Sequence, residues 1–148
     1  MKLRLLLPII SILLLSSCYG EIEVVEIEEF SNVEMSFKGM KSDLHVRVYN
    51  PHILSINIQS ADIALTVGEV DAGDVVLGQP TRLVAGDTST VILKVATHKG
   101  AIGRILKENF ARILDGGEVA FTAEGVITGK SLGVKIEVPI SHNQVLEL

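Results

Sequence analysis

The chain has 148 residues, with 13 basic and 18 acidic side chains and a formal net charge of −5 at pH 7. Because nucleic-acid binding depends on neutralising phosphates, such an acidic chain is not expected to have a nucleic-acid partner. A hydrophobic content of 47% with 21% charged residues excludes an intrinsically disordered chain. The single cysteine, Cys18, excludes a disulfide within the chain.

The first 17 residues have the pattern of a secretory signal peptide. Lys2 and Arg4 form a short basic start, an apolar run follows at residues 5–15, and small residues precede Cys18. The run is shorter than the roughly 20 residues that a transmembrane helix needs. The sequence Leu15-Ser16-Ser17-Cys18 resembles the lipobox of bacterial lipoproteins, which implies cleavage before Cys18 and a diacylglyceryl group on its thiol. We therefore expect Cys18 to anchor the protein to a membrane; the alternative is a non-lipidated signal with a chance cysteine.

The residues after the expected cleavage site bear on location and domain boundaries. Tyr19 is not the aspartate associated with inner-membrane retention in some bacteria, so the periplasmic face of the outer membrane is the favoured place in the cell envelope. Apolar and acidic residues alternate from Glu21 to Glu29, which fits either a half-exposed strand or a solvated tether. We favour a tether at residues 18–29, able to reach on the order of 30 Å. One domain would follow at residues 30–148, with its first strand entered near Phe30.

From residue 30 onward, apolar and polar residues alternate in a way that is typical of β-strands. Leu44, Val46 and Val48 alternate with polar neighbours. The same period recurs at residues 54–58, 63–67, 91–95, 119–123 and 134–138. Turn signals lie between these segments, at Lys38-Gly39, Asn50-Pro51, Asp71-Ala72-Gly73, Gly78-Gln79-Pro80, Ala85-Gly86-Asp87 and Asp115-Gly116-Gly117. This organisation predicts a mainly β protein with an antiparallel sandwich or barrel.

One segment departs from the period of two. Apolar side chains recur at helical spacing from Gly100 to Leu114, and Gly116-Gly117 supplies a stop, so we predict an amphipathic helix at about 100–114. These apolar residues are Ile102, Ile105, Leu106, Phe110, Ile113 and Leu114. Basic residues outnumber acidic ones on the helix. We expect the apolar stripe to cover an open end or face of the sheet, and the alternative is contact with a membrane surface.

Two stretches of the chain carry a family resemblance. The first is Tyr49-Asn50-Pro51 followed by Ile53-Leu54-Ser55-Ile56-Asn57-Ile58, and the second is the predicted strand at residues 117–127 with its internal glycine. Both resemble the type 2 late embryogenesis abundant family, which contains the water stress and hypersensitive response domain. The resemblance covers roughly residues 30–139, although His52 stands where the family usually has a second asparagine. It implies an immunoglobulin-like or fibronectin-type β-sandwich with one helix, a role in stress or desiccation protection, and no catalytic centre.

No motif in the sequence points to catalysis or to a cofactor. The four histidines, His45, His52, His98 and His142, are isolated, and none has the spacing of a metal motif. Glu69, Asp71 and Asp74 flank Gly73 but lack the spacing of a calcium loop. We therefore expect no catalytic residue, no cofactor and no metal site.

The leading hypothesis is a non-enzymatic, lipid-anchored protein of the cell envelope that binds or protects an unidentified partner, linked to desiccation or water stress. The first alternative is a structural or accessory lipoprotein subunit of an envelope assembly. The last of the three hypotheses is an enzyme whose site residues are distant in the sequence and are brought together only by the fold.

Overall fold

The computed structural model describes residues 20–147, so the expected signal peptide and Cys18 lie outside the described residues. The elements in chain order are β1 (Glu23–Ser36), β2 (Gly39–Tyr49), β3 (Ile56–Val67), β4 (Val70–Leu77), β5 (Thr81–Leu83), β6 (Thr88–Thr97), α1 (Ala101–Leu114), β7 (Glu118–Ser131) and β8 (Val134–Glu147). The predictions of a mainly β protein and of a helix at about 100–114 are both confirmed.

All strand pairs are antiparallel, and the strands follow the order β1-β2-β6-β4-β3-β7-β8. β5 pairs with the first residues of β3, on the edge that β4 occupies further along that strand. The sheet curls so that the inner faces of β2 and β6 pack against those of β3 and β5. The main core cluster consists of Val46, Val48, Ile56, Ile58, Leu83 and Val91. Burial of these branched side chains supplies the main driving force for a sandwich-like fold.

A bulge explains why β3 is one strand although its sequence contains two alternating segments. Ile56 and Ile58 are buried, whereas further along Ala61 and Ile63 take the inward positions. The register of β3 against β7 shifts between Ile58 and Ser60, which moves the inward side chains from even to odd positions. Leu54, predicted with the first segment, lies before the strand and is exposed.

The first strand begins at Glu23, earlier than the predicted entry near Phe30. Residues 23–29, assigned to a tether from the sequence, are instead part of β1, which pairs with β2 from Glu23 onward, and Ile22 packs against the core. The reason is that β1 is an edge strand. Its side chains remain largely in solvent, so acidic residues are tolerated at alternate positions and the pattern resembles that of a tether.

The segment Asp71-Ala72-Gly73, predicted to be a turn, lies inside β4. The register of β3 against β4 shifts opposite this segment, where Leu65 pairs with Gly73 and Thr66 with Asp71. A Cβ atom on Gly73 would collide with the backbone of Ala96 in β6, so glycine here permits close approach of two strands rather than a turn.

The fold has two distinct ends. The loop end comprises residues 50–55, 83–87 and 131–134, and the helix end comprises residues 37–38, 68–69 and α1. At the helix end the Met40 N–H donates to Thr97 Oγ1 at 2.7 Å, so β2 starts where β6 finishes. The 11 residues of β2 span the sheet between the two ends, which corresponds to about 35 Å at ~3.4 Å per residue.

Candidate functional site

Asn50 holds the loop end together. Its side chain is 0% exposed, and its Nδ2 donates to Leu54 O at 3.0 Å and to Leu83 O at 3.3 Å. Its Oδ1 accepts from the His52 N–H at 3.1 Å. The backbone of Asn50 adds two further bonds, since its N–H donates to Asp87 O and its C=O accepts from the Gly86 N–H. A fully buried amide with these partners is a structural cross-link between two loops.

Serine hydroxyls extend this network to the turn between β7 and β8. Ser131 Oγ donates to Ser55 O at 2.9 Å, and Ser55 Oγ accepts from the Ala85 N–H at 3.2 Å. All three segments of the loop end are therefore joined by hydrogen bonds. The backbones of these segments are therefore held next to one another.

The loop end also exposes apolar side chains. Ile53 is 92% exposed and Leu132 is 81% exposed, and Leu54 and Val84 are exposed beside them. Leu132 and Gly133 form the two-residue turn between β7 and β8, with φ values of +48° and +77°. Such turns favour Asn-Gly, and a left-handed backbone costs a leucine about 1 kcal/mol. The turn accounts for the left-handed backbone at position 132, but the stability of the fold does not explain why an exposed leucine occupies it.

At the helix end, α1 covers the sheet with only part of its apolar stripe. Ala101 and Asn109 are buried and Ile105 is half-buried, whereas Leu106 and Phe110 are exposed. Asn109 Nδ2 donates to Ile105 O at 2.9 Å, within its own helix. The expected covering of the sheet is thus found for one side of the stripe, while the other side faces solvent. In the described part of the chain, no helix is both long enough and apolar enough to cross a bilayer.

The structure brings together three of the ionisable residues considered in the sequence. His98 Nε2 lies 3.3 Å from Asp71 Oδ1 and 3.6 Å from Asp74 Oδ2, and all three side chains are substantially exposed. His45 Nδ1 lies 3.7 Å from Glu28 Oε2 on the neighbouring strand. Glu69 is exposed in the turn between β3 and β4, and His142 is exposed on β8. Among residues 20–147, no group of three or more His, Cys, Asp or Glu side chains is placed to hold a metal ion.

Two depressions lie on the described surface, and both are open to solvent. One of about 280 Å³ is lined by Asn57, Pro80 and Arg82 among others. The other, of about 440 Å³, lies on the outer face of the sheet with Asp62, Asp74 and Glu124 around Ala64. Neither is an enclosed cavity that would shield a reaction from water.

These features define a small antiparallel β-sandwich with one covering helix and a cross-linked loop end. The model of the late embryogenesis abundant protein family matches residues 45–144, and the chain belongs to that family. The resemblance predicted from the Asn-Pro motif and the late glycine-containing strand is therefore confirmed. Proteins of this family are generally non-enzymatic, and membership is consistent with a domain related to water stress.

Solved structures share this fold at low sequence identity. A protein from Archaeoglobus fulgidus superposes with a TM-score of 0.60 at 9% identity, covering 83% of this chain and 98% of its own. A solution structure from Arabidopsis thaliana gives a TM-score of 0.62 at 16% identity, covering 90% and 87%. A protein described as late embryogenesis abundant gives 0.52 at 18% identity, covering 95% and 78%. None of the curated protein sequences matches the chain.

Proposed function

We propose that this protein is a non-enzymatic, lipid-anchored binding domain of the bacterial cell envelope that protects a partner when water activity falls. Family membership supports the link to water stress. The lipobox-like sequence before Cys18 supports the anchor. The observation that carries the binding role is the exposed apolar surface of β1, where six side chains are at least half exposed: Val24, Val25, Ile27, Phe30, Val33 and Met35.

Binding at this surface would use side chains rather than the addition of a strand. The register of β1 against β2 shifts at three places, and bulges of this kind hinder pairing with a further strand. One shift contains Asn32, whose φ is +51° and whose Nδ2 donates to Asp43 Oδ2 at 2.8 Å. The opposite edge, β8, contains Pro139, which lacks the N–H that a ladder requires. Both edges of the sheet are therefore poorly suited to pairing with a further strand, while the apolar side chains of β1 remain accessible.

The acidic residues of β1 keep this apolar surface hydrated when no partner is present. Glu26 Oε2 accepts from Arg47 Nη1 at 2.9 Å, which holds one carboxylate toward β2. Interspersed charges of this kind limit self-association. A partner that loses water exposes apolar surface of its own, and contact with β1 would bury both surfaces at about 25 cal/mol per Å².

The protective role can be tested by drying a desiccation-sensitive soluble enzyme, lactate dehydrogenase, with vesicles that carry the full lipidated protein. We expect greater recovery of activity after rehydration than with an equal mass of serum albumin and protein-free vesicles. Recovery equal to that control would contradict protection.

A matched pair of double variants tests whether β1 carries the binding. In Val24→Ser/Val33→Ser, two exposed side chains of β1 become polar. The control, Val76→Ser/Val145→Ser, makes the same change at exposed positions of β4 and β8. Val33 and Val145 are each 51% exposed, so both variants should fold with little change in stability. We expect loss of protection in the β1 variant alone. An equal effect of the two variants would show that β1 has no special role.

The anchor is tested by fractionation of cells that express the wild-type chain or Cys18→Ser. The wild-type protein should stay with membranes through high-salt washing and be released by detergent, whereas the variant should lose that behaviour. Mass spectrometry of the N-terminal peptide provides the direct readout. A free Cys18 thiol on the purified protein would exclude lipidation, and a stoichiometric protein that co-purifies in detergent would favour an accessory subunit of an envelope assembly.

A further inference from the structure

The loop end carries a compact set of exposed apolar side chains, which we name the apolar tip: Ile53, Leu54, Val84 and Leu132. Asn50 Nδ2 bonds to the carbonyls of Leu54 and Leu83, and Ser131 bonds to Ser55, so the segments that carry the tip adjoin one another. The tip is therefore a preformed surface rather than a set of independent loops.

The backbone at Leu132 gives an independent indication that the tip serves a function. Asparagine, aspartate or glycine would occupy this left-handed turn position with less strain and without exposing an apolar side chain. The chain instead places an 81% exposed leucine there. A locally unfavourable residue at a surface position is a feature typical of binding sites.

The start of the described chain indicates what the tip contacts. A Cβ atom built on Gly20 would lie 3.1 Å from Pro51 Cγ, so the chain enters the fold directly against the loop end. Cys18 precedes Gly20 by two residues, and two residues span at most about 7 Å. The loop end, which carries the tip, is therefore the end of the fold that a lipid on Cys18 would tether most closely.

We propose that the apolar tip inserts into the interfacial layer of the bilayer that holds the lipid anchor. The proposal rests on the anchoring proposed above and adds an orientation, in which the sandwich stands on its loop end and the helix end points away. The exposed helix residues Leu106, Phe110 and Leu114 form the rival surface. Because they lie at the far end of the sheet, they could touch the same membrane only if the domain lay on its side.

The test uses the full lipidated chain in vesicles of phosphatidylethanolamine and phosphatidylglycerol that contain a brominated quencher lipid. Because lipidation consumes the Cys18 thiol, a fluorophore can be attached to one introduced cysteine, in Ile53→Cys or Leu132→Cys at the tip. Phe37→Cys and Phe110→Cys at the helix end are the matched exposed controls. We expect quenching at positions 53 and 132 to exceed that at positions 37 and 110 several-fold.

Each other outcome overturns the proposal in a recognisable way. Weak quenching at all four positions would show that the domain stands off the membrane although the anchor holds. Stronger quenching at position 110 would identify the helix as the contact. Failure of the protein to float with vesicles, together with labelling of Cys18 itself, would overturn the anchor and the tip contact together.

A further variant separates a binding role of Leu132 from a structural one. In Leu132→Asn, the turn gains a residue that adopts the left-handed conformation readily. We expect a higher midpoint of thermal unfolding together with weaker quenching of a label at position 53. A higher midpoint with unchanged quenching would show that Leu132 takes no part in membrane contact.

Discussion

The two ends of the sandwich each bury one asparagine and expose apolar side chains, yet they hold their chains by different means. At the loop end, the side chain of Asn50 bonds to three backbone groups in two segments, one of them 33 positions away. At the helix end, the Asn109 side chain donates to the carbonyl of Ile105 in its own helix and lies beside Gly68. The side chain of Asn50 thus cross-links two segments of the loop end, whereas that of Asn109 contributes mainly packing at the helix end, and the substitutions below test that difference.

The largest effect is expected for Asn50→Ala. The change removes three side-chain hydrogen bonds and leaves the carbonyls of Leu54 and Leu83 without these donors, so the free energy of unfolding should fall by on the order of 3 kcal/mol. Urea denaturation of the two proteins measures the difference. Asn57→Ala, at an exposed position of β3, is the control and should change stability by no more than about 0.5 kcal/mol. Equal losses in both would show that Asn50 is not a cross-link.

A smaller decrease in the free energy of unfolding is expected for Gly68→Ala at the helix end. Gly68 has a φ of +62°, and a Cβ atom there would lie 3.0 Å from Asn109 Oδ1. Backbone strain and crowding together should cost about 2 kcal/mol.

Gly86→Ala at the loop end is the matched control for this change. Its φ is +65° and a Cβ atom would meet nothing within 4 Å, so only the strain of about 1 kcal/mol should remain. If thermal unfolding shows the same loss for both variants, Gly68 and Asn109 are not tightly packed.

Asn109→Ala should lower the free energy of unfolding by about 1 kcal/mol or less, although Asn109 is only 4% exposed. The bond to Ile105 is lost, but alanine has the higher helix propensity and offsets part of the loss. The comparison with Asn50→Ala is direct, because the same atoms are removed at two buried positions. A loss as large as that of Asn50→Ala would contradict the distinction between the two ends.

Gly103→Ala should have the smallest effect and the opposite sign. Gly103 is exposed in α1, and a Cβ atom there would meet nothing within 4 Å. Replacing glycine by alanine inside a helix should raise the free energy of unfolding by about 0.8 kcal/mol. A decrease, measured by the same urea titration, would indicate that the exposed face of α1 contacts something other than solvent.

Much of the strand pattern could be predicted because alternation reports local burial. Val46, Val48, Val91 and Val119 are buried as their alternation implies, and the period of 3.6 located α1. The start of β1 could not be predicted in this way. An edge strand with exposed side chains on both faces has the same composition as a hydrated tether.

The candidate site was only partly visible in the sequence. Asn50-Pro51 was recognised as a turn opener and as a family motif, but the partner at Leu83 depends on contacts between distant parts of the chain. Leu132 was not singled out, although Leu-Gly between two alternating segments is an unusual pair for a two-residue turn. A leucine at the first position of a predicted two-residue turn is therefore a signal that can be read from the sequence.

The proposed orientation of the domain can be measured as the heights of its two ends above the bilayer. Energy transfer from a donor on Leu132→Cys, and separately on Phe110→Cys, to acceptor dyes on lipid headgroups gives the two heights in the full lipidated protein. Since about 10 strand residues at ~3.4 Å each separate the two ends, we predict that position 110 lies about 30 Å farther from the headgroups than position 132. Equal heights, or a lower position for residue 110, would show that the loop end does not rest on the membrane.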